Sequence, residues 1–201
     1  RDILRSMGRA GKSDLHLQRA PLGAVLREAA EPHLGRGKEV IFDLREARGA
    51  DSAQPVILRK PEVIHGLRNL IQNAVDFAKT TVWVDAEWDE DQLLLRVVDD
   101  GDGYPTHILG RIGDPFVSRR GGIRPSHPRP GYEGMGLGLF IAKTLLERSG
   151  AELSFANGTD PFLTSAERPA RCGAIVEVIW RKADIVVSDQ GSLGANTPIE
   201  A

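Results

Sequence analysis

Ten of the 22 glycines and five of the 12 prolines of this 201-residue chain fall between residues 101 and 138. Glycine frees the backbone and proline breaks helices and central strands, so this stretch reads as a long loop set into an otherwise regular chain. Any fold for the sequence must place ordered elements on both sides of a large, glycine-bounded insertion. Charge is distributed just as unevenly. Residues 85–102 carry eight acids and one Arg, whereas residues 111–131 carry five Arg and one Asp. The formal net charge of −2 hides this opposition, and it lacks the basic excess of a dedicated nucleic-acid binder.

Outside the insertion the apolar periodicity is regular. Residues 15–18 alternate as a short strand, and Pro21 opens a helix through Leu22, Val25, Leu26, Ala29 and Ala30 that ends near Gly35 and Gly37. Residues 39–44 and 56–59 have strand length. Pro61 opens a second helix, whose Ile64, Leu67, Ile71, Ala74 and Ala78 form one apolar stripe. Residues 81–88 and 93–99 read as a hairpin turning at 89–92. Residues 137–149 form a third helix stopped by Gly150, and residues 152–156 and 174–180 form a closing strand pair. Helices interleaved with hairpins predict an α/β (α+β) fold, a two-layer sandwich of a mixed, mainly antiparallel sheet and three helices.

With 41% hydrophobic and 27% charged residues the chain is expected to be a soluble globular domain. It has no apolar run near the roughly 20 residues of a spanning helix. The single cysteine, Cys172, can form neither an internal disulfide nor a cysteine-based metal site and fits a reducing compartment. The opening Arg1-Asp2-Ile3, without an initiator Met, is expected of a piece of a longer protein, and residues 183–201 of a flexible tail.

Three clusters carry chemistry. Asn69 and Asn73 are four apart on the second helix, on the face opposite its apolar stripe. Asn competes for backbone hydrogen bonds and is a mediocre helix former, so the pair reads either as solvated surface or as ligands to a polar group such as Mg²⁺ with phosphates. Asp99-Asp100-Gly101-Asp102-Gly103 follows a buried strand. It reads as a plain acidic turn, or as a carboxylate for an exocyclic amine beside glycines that admit a flat ring. It is not a calcium loop, since Pro105 stands where such a loop needs Gly. Gly134-Met135-Gly136-Leu137-Gly138-Leu139 opens the third helix, either for close helix packing or as an anion site of exposed N–H groups at the positive end of the dipole. Gly11-Lys12-Ser13 is not a phosphate-binding P-loop, because Ser6 replaces the required first glycine.

In this order and spacing the three clusters resemble the N, G1 and G2 boxes of the Bergerat-type ATP-binding fold, shared by sensor histidine kinases, Hsp90 chaperones, DNA gyrase B subunits and MutL repair proteins. Leu67-Arg68-Asn69-Leu70-Ile71-Gln72-Asn73-Ala74 is similar to the histidine kinase N box, and Asp114-Pro115-Phe116 resembles the end of its F box. Asn73-Ala74-Val75-Asp76-Phe77-Ala78 and Gly113-Asp114-Pro115-Phe116 further resemble the redox-responsive RegB/PrrB kinases.

The resemblance implies a kinase domain over residues 15–182, with a mobile lid at about 104–133 and the end of a dimerisation helix with its connector at 1–14. It implies ATP and Mg²⁺ as cofactors. Asn73 would ligate the metal, with Asn69 supporting metal and phosphates. Asp99 would bond the adenine amine, Gly101 and Gly103 would shape the base pocket, and Phe77 would stack. Gly134, Gly136, Leu137 and Gly138 would bring backbone to the phosphates. Arg119 and Arg120, in the basic lid, have charge for the triphosphate or for solvent. Asp76 departs from the Lys common in the branch, Gly113 from the first Phe of the F box and Ala174 from a frequent Thr.

None of His16, His33, His65, His107 and His127 is followed by an acid as a phosphoacceptor is, so the acceptor is expected on a dimerisation domain outside the chain. The expected partners are that domain, a second copy in the full-length protein and a response regulator. The expected place is the cytoplasmic side of an inner-membrane-anchored protein. An ATP-gated clamp of the chaperone or topoisomerase type and a non-catalytic nucleotide-binding module are the alternatives.

Overall fold

The computed structural model describes residues 18–47, 53–112, 135–159, 163–164, 166 and 168–187. The elements run β1 (Arg19–Pro21), α1 (Leu22–Ala30), β2 (Glu39–Glu46), β3 (Val56–Leu58), α2 (Pro61–Phe77), β4 (Thr81–Trp88), β5 (Gln92–Asp99), α3 (Met135–Arg148), β6 (Ala151–Asn157), β7 (Ala174–Arg181) and a one-turn α4 (Lys182–Ile185). The main sheet has the order β2-β4-β5-β7-β6. Only its β2–β4 pair is parallel; the β4–β5, β5–β7 and β6–β7 pairs are antiparallel. The expected fold class is thus borne out.

Period-two alternation sorts the strands into faces. Val82, Val84, Ala86 and Trp88 of β4, Leu93, Leu95 and Val97 of β5, and Val176, Val178 and Trp180 of β7 are buried on one face. The helices cover that face, with α2 packed against both α1 and α3. Pro61 starts α2 in its first turn, where the missing N–H costs nothing. Gly150, at φ +93°, ends α3 in the left-handed region that favours glycine.

Several expectations shift. The first strand forms at Arg19–Pro21, pairing antiparallel with β3, rather than at 15–18, because the ladder with 56–58 fixes it there; residues 15–17 lie outside the described residues. Of the segment expected as a lid at about 104–133, Tyr104 and Ile112 are buried in the core, and residues 113–133 lie outside the described residues. The tail expected from 183 is packed at its start: Ile185 is buried and Val186 bridges to Ile57. Among the described residues no helix is long and apolar enough to cross a membrane.

The face of α2 opposite its apolar stripe is not solvent throughout. Gly66 lets α3 approach so closely that a Cβ there would meet Leu146 Cγ at 2.6 Å. Val63, Gly66, Leu70 and Asn73 are buried along with Leu67, Ile71 and Ala74. Asn73 therefore stands at the margin of the buried arc, only 9% exposed.

Candidate nucleotide site

Strand β5 carries its alternation through to Asp99, a carboxylate only 2% exposed at the end of the strand. One oxygen is committed: Gly101 N and Ala174 N donate to Asp99 Oδ1 at 2.8 and 3.1 Å. Among the described residues Oδ2 has no hydrogen-bond partner. Burial pushes the carboxyl up to about 6, against the two amide bonds that favour its charged form. The neighbouring acids are occupied otherwise. Asp100 accepts from Lys79 N, Thr80 N and Thr80 Oγ1, clipping the turn to the end of α2. Burial alone would raise its carboxyl, but these bonds outweigh it and hold it below the ordinary range. Asp102 pairs with Lys79 at 2.9 Å.

Close approach of backbone makes the pocket. A Cβ at Gly101 would sit 2.3 Å from Phe77 O, so the turn lies against the last turn of α2. A Cβ at Gly173 would sit 1.9 Å from Asp99 Oδ1 and 2.6 Å from Gly101 N. Gly103, at φ +74°, lies against the Asn157 side chain. That side chain pins the next residue from both sides: Tyr104 N donates to Asn157 Oδ1 at 2.7 Å, and Asn157 Nδ2 donates to Tyr104 O at 2.8 Å. The Tyr104 hydroxyl is buried without a partner among the described residues. Burial and the Asp99 charge push its ionisation far above the ordinary range, so it stays a neutral donor.

On α2, Asn69, Asn73 and Phe77 follow one another at i+4 along one line, which ends at the Gly101 turn. Asn69 Nδ2 donates to His65 O at 2.9 Å, which leaves its amide oxygen free of that bond. The buried Asn73 amide makes no hydrogen bond among the described residues. At the start of α3, Leu137 is exposed, and a Cβ at Gly138 would meet nothing within 4 Å. Close helix packing therefore does not explain that glycine; it occurs instead at Gly66.

A family model, "Histidine kinase-, DNA gyrase B-, and HSP90-like ATPase", matches residues 59–191, which contain every element of this site. The chain belongs to that ATPase family. Among its relatives the sensor histidine kinase RegB of Cereibacter sphaeroides is 70% identical over 200 residues, covering all of this chain and 43% of its own length. The chain thus spans about two fifths of that relative. The sensor protein CreC of Escherichia coli is 25% identical over 77% of the chain. Of solved structures, the mycobacterial sensor histidine kinase MprB aligns with a TM-score of 0.57 at 18% identity, over 81% of this chain and 97% of its own. Full-length ShkA in complex with AMPPNP aligns with a TM-score of 0.58 at 21% identity, over 85% of this chain and 32% of its own. These two likenesses show the fold.

Within this ATPase domain the structure brings Phe77, Asp99, Gly101 and Gly103 together, with Asn69 and Asn73 further along the same helix. Arg119, Arg120 and Gly134 lie outside the described residues, as do Gly113 and the 114–116 segment; Gly136 is described only as part of the α3 backbone. Sequence reading missed Asn157, Gly173 and Tyr104 as parts of the pocket. Their one signal was position, since Asn157 ends β6 and Gly173 immediately precedes β7. Replacing Asn157 with Ala removes both bonds to Tyr104. The variant is expected to stay folded and to lose about tenfold in nucleotide affinity as the turn loosens, measured by titration alongside a thermal melt; unchanged affinity would rule out an anchoring role.

Proposed function

We propose that this chain is the ATP-binding catalytic domain of a sensor histidine kinase, delivering the γ-phosphoryl group of Mg-ATP to a histidine on a dimerisation domain that precedes it. The observation that carries the reading is the Asp99 carboxylate, tied through Oδ1 to two backbone amides and without a partner at Oδ2 among the described residues. An ionised oxygen fixed in a pocket between glycine backbones suits the exocyclic amine of adenine.

Phe77 stacks on the base, and Gly101 and Gly103, packed against Phe77 O and the Asn157 side chain, set the turn that lines the base pocket. Asn73, supported by Asn69, holds the metal. The donor set fits Mg²⁺: the Asn73 amide is unpartnered at the helix margin, and no group of three or more His, Cys, Asp or Glu among the described residues could hold an ion alone. Mg²⁺ commonly takes one or two protein oxygens and completes its shell with water and phosphate oxygens. When bound, it supplies charge neutralisation to the triphosphate. Gly136, Leu137 and Gly138 offer N–H groups at the start of α3; Gly134, Arg119 and Arg120, outside the described residues, are assigned to the phosphates on the same reading.

The chain's own work is positioning and electrostatic stabilisation. An imidazole nitrogen of the partner domain forms the N–P bond as the bond from the γ-phosphorus to the ADP oxygen breaks, and the imidazole proton leaves to a base outside this chain. Residues 1–14, which lie outside the described residues, are assigned on this reading to the end of the dimerisation helix and its connector. The full protein is a homodimer anchored in the inner membrane with this domain in the cytoplasm, and it passes the phosphoryl group to a response regulator. The support is the similarity to RegB along the whole chain.

The test mixes this chain with the isolated dimerisation domain and γ-labelled ATP. Acid-labile phosphohistidine is expected on the partner, and its loss by at least about 100-fold in Asn73→Ala. Transfer retained by the variant would reject the metal role, and nucleotide binding without any transfer would make the chain a non-catalytic module.

A further inference from the structure

The stripe that carries Asn69 and Asn73 continues to Asp76, at spacings of four and seven from Asn69. Residues so spaced share a helix face. A bare carboxylate there would face the same region as the triphosphate, whose charge it would repel. The structure does not leave it bare. Arg36, in the segment between α1 and β2, places Nη2 2.8 Å from Asp76 Oδ1. Its Nη1 lies 3.5 Å from Nδ1 of the buried His33.

The segment that brings Arg36 there is tied at both ends. Leu34 N donates to Ala30 O at 3.2 Å, Lys38 Nζ to Lys79 O at 2.5 Å, and Glu39 N to Thr80 O at 2.9 Å. The last two bonds fasten it to the chain just beyond α2. A guanidinium has five N–H donors in a planar fork, so one edge can hold a carboxylate while the other meets an anion. The Arg36 side chain is 46% exposed, which leaves donors for a ligand.

We propose that Arg36 is a phosphate-binding residue of this site, held beside the Asn69–Asn73 line by Asp76 and presenting its remaining N–H donors to the triphosphate of ATP. The inference rests on the nucleotide reading above. Asp76 is the positioning residue, fixing the guanidinium and leaving the pair neutral, so that ATP meets a cation rather than a carboxylate. Arg36 lies outside the family's glycine and asparagine motifs, which is why local pattern does not mark it.

The test measures ATP and adenosine affinities, with Mg²⁺, for the wild-type chain, Arg36→Ala, Arg36→Lys, Asp76→Ala and the double variant Arg36→Ala/Asp76→Ala. Thermal melts of each variant establish that it is folded. Arg36→Ala is expected to weaken ATP about tenfold and to leave adenosine unchanged, with Arg36→Lys between it and wild type. The double variant is expected to bind ATP about tenfold more weakly than Asp76→Ala. Equal losses for ATP and adenosine would make Arg36 merely structural and overturn the proposal. So would a double variant that binds ATP as well as Asp76→Ala, since Arg36 would then only neutralise Asp76. Failure of the nucleotide reading looks different: the wild type would not bind ATP, or adenosine binding would ignore Asp99→Asn.

Discussion

Asp99→Asn is expected to abolish nucleotide binding while making the empty domain more stable at neutral and alkaline pH. The amide oxygen of Asn can still accept from Gly101 N and Ala174 N, which fixes the side chain with its NH₂ where Oδ2 stood. A donor then faces the donor amine of adenine, and a buried mismatch of this kind is expected to cost at least about 100-fold in affinity. Stability moves the other way. Burial raises the Asp99 carboxyl from its ordinary 3.8 to about 6. Between those values the folded domain keeps a proton that the unfolded chain has released. The contribution of Asp99 to stability is therefore fully present below about pH 4 and is lost as pH rises through 6.

Asn has no charge to bury, so the variant escapes that loss. It is expected to gain on the order of 1–3 kcal/mol at pH 8 and little at pH 4. Urea unfolding at both pH values and a nucleotide titration check this. A variant less stable than wild type at pH 8, or one that still binds ATP, would contradict it. The same ionisation gives wild type a nucleotide affinity that weakens as pH falls below about 6, where the charged acceptor is lost.

The second large effect is expected at Gly173. A methyl group there would overlap Asp99 Oδ1 and crowd Gly101 N and Asp99 O, at 1.9, 2.6 and 2.8 Å. Two of these three atoms are backbone, Asp99 O at the end of β5 and Gly101 N in the turn that follows it, and the third is the oxygen that two amides fix. Neither side can yield without breaking the pocket floor. Gly173→Ala is expected to destabilise the domain by about 2–4 kcal/mol and to abolish nucleotide binding even where the chain remains folded. Gly110→Ala is the matched control, since a Cβ at Gly110 meets nothing within 4 Å. It is expected to change stability by less than about 0.5 kcal/mol. Chemical denaturation of the two variants gives the comparison, and similar midpoints would mean that the close approach at Gly173 is relieved by backbone movement.

These two sites mark where the sequence was legible and where it was not. Asp99 stands at the end of an alternating strand and just before Gly101 and Gly103, all within a dozen residues, so its place on the pocket floor could be read locally. The hairpin of β4 and β5 and the buried stripe of Leu67, Ile71 and Ala74 were legible for the same reason. Gly173 and Asn157 act on Asp99 and Tyr104 from across the sheet, and neither has a local pattern that announces it. Asn73 is buried on the helix side where Gly66 meets α3, which the periodicity of α2 alone cannot express. A stripe names the face that meets the sheet; a second helix can cover the far side. Glycine and proline density suggests loop and tail without revealing that Tyr104, Ile112 and Ile185 are buried.

Asp99 and Ala174 are 75 residues apart along the chain and neighbours in space. Pairing β5 with β7 closes a long loop, and such closure is slow relative to local hairpins and helices. A chain made from its N-terminus can form α1, α2 and the β4–β5 hairpin well before β7 has been synthesised. The proposed adenine pocket cannot form until then, because its floor contains Gly173 and Ala174. ATP therefore cannot assist the early steps of folding. It acts only on the finished domain, which it stabilises by binding the folded state alone.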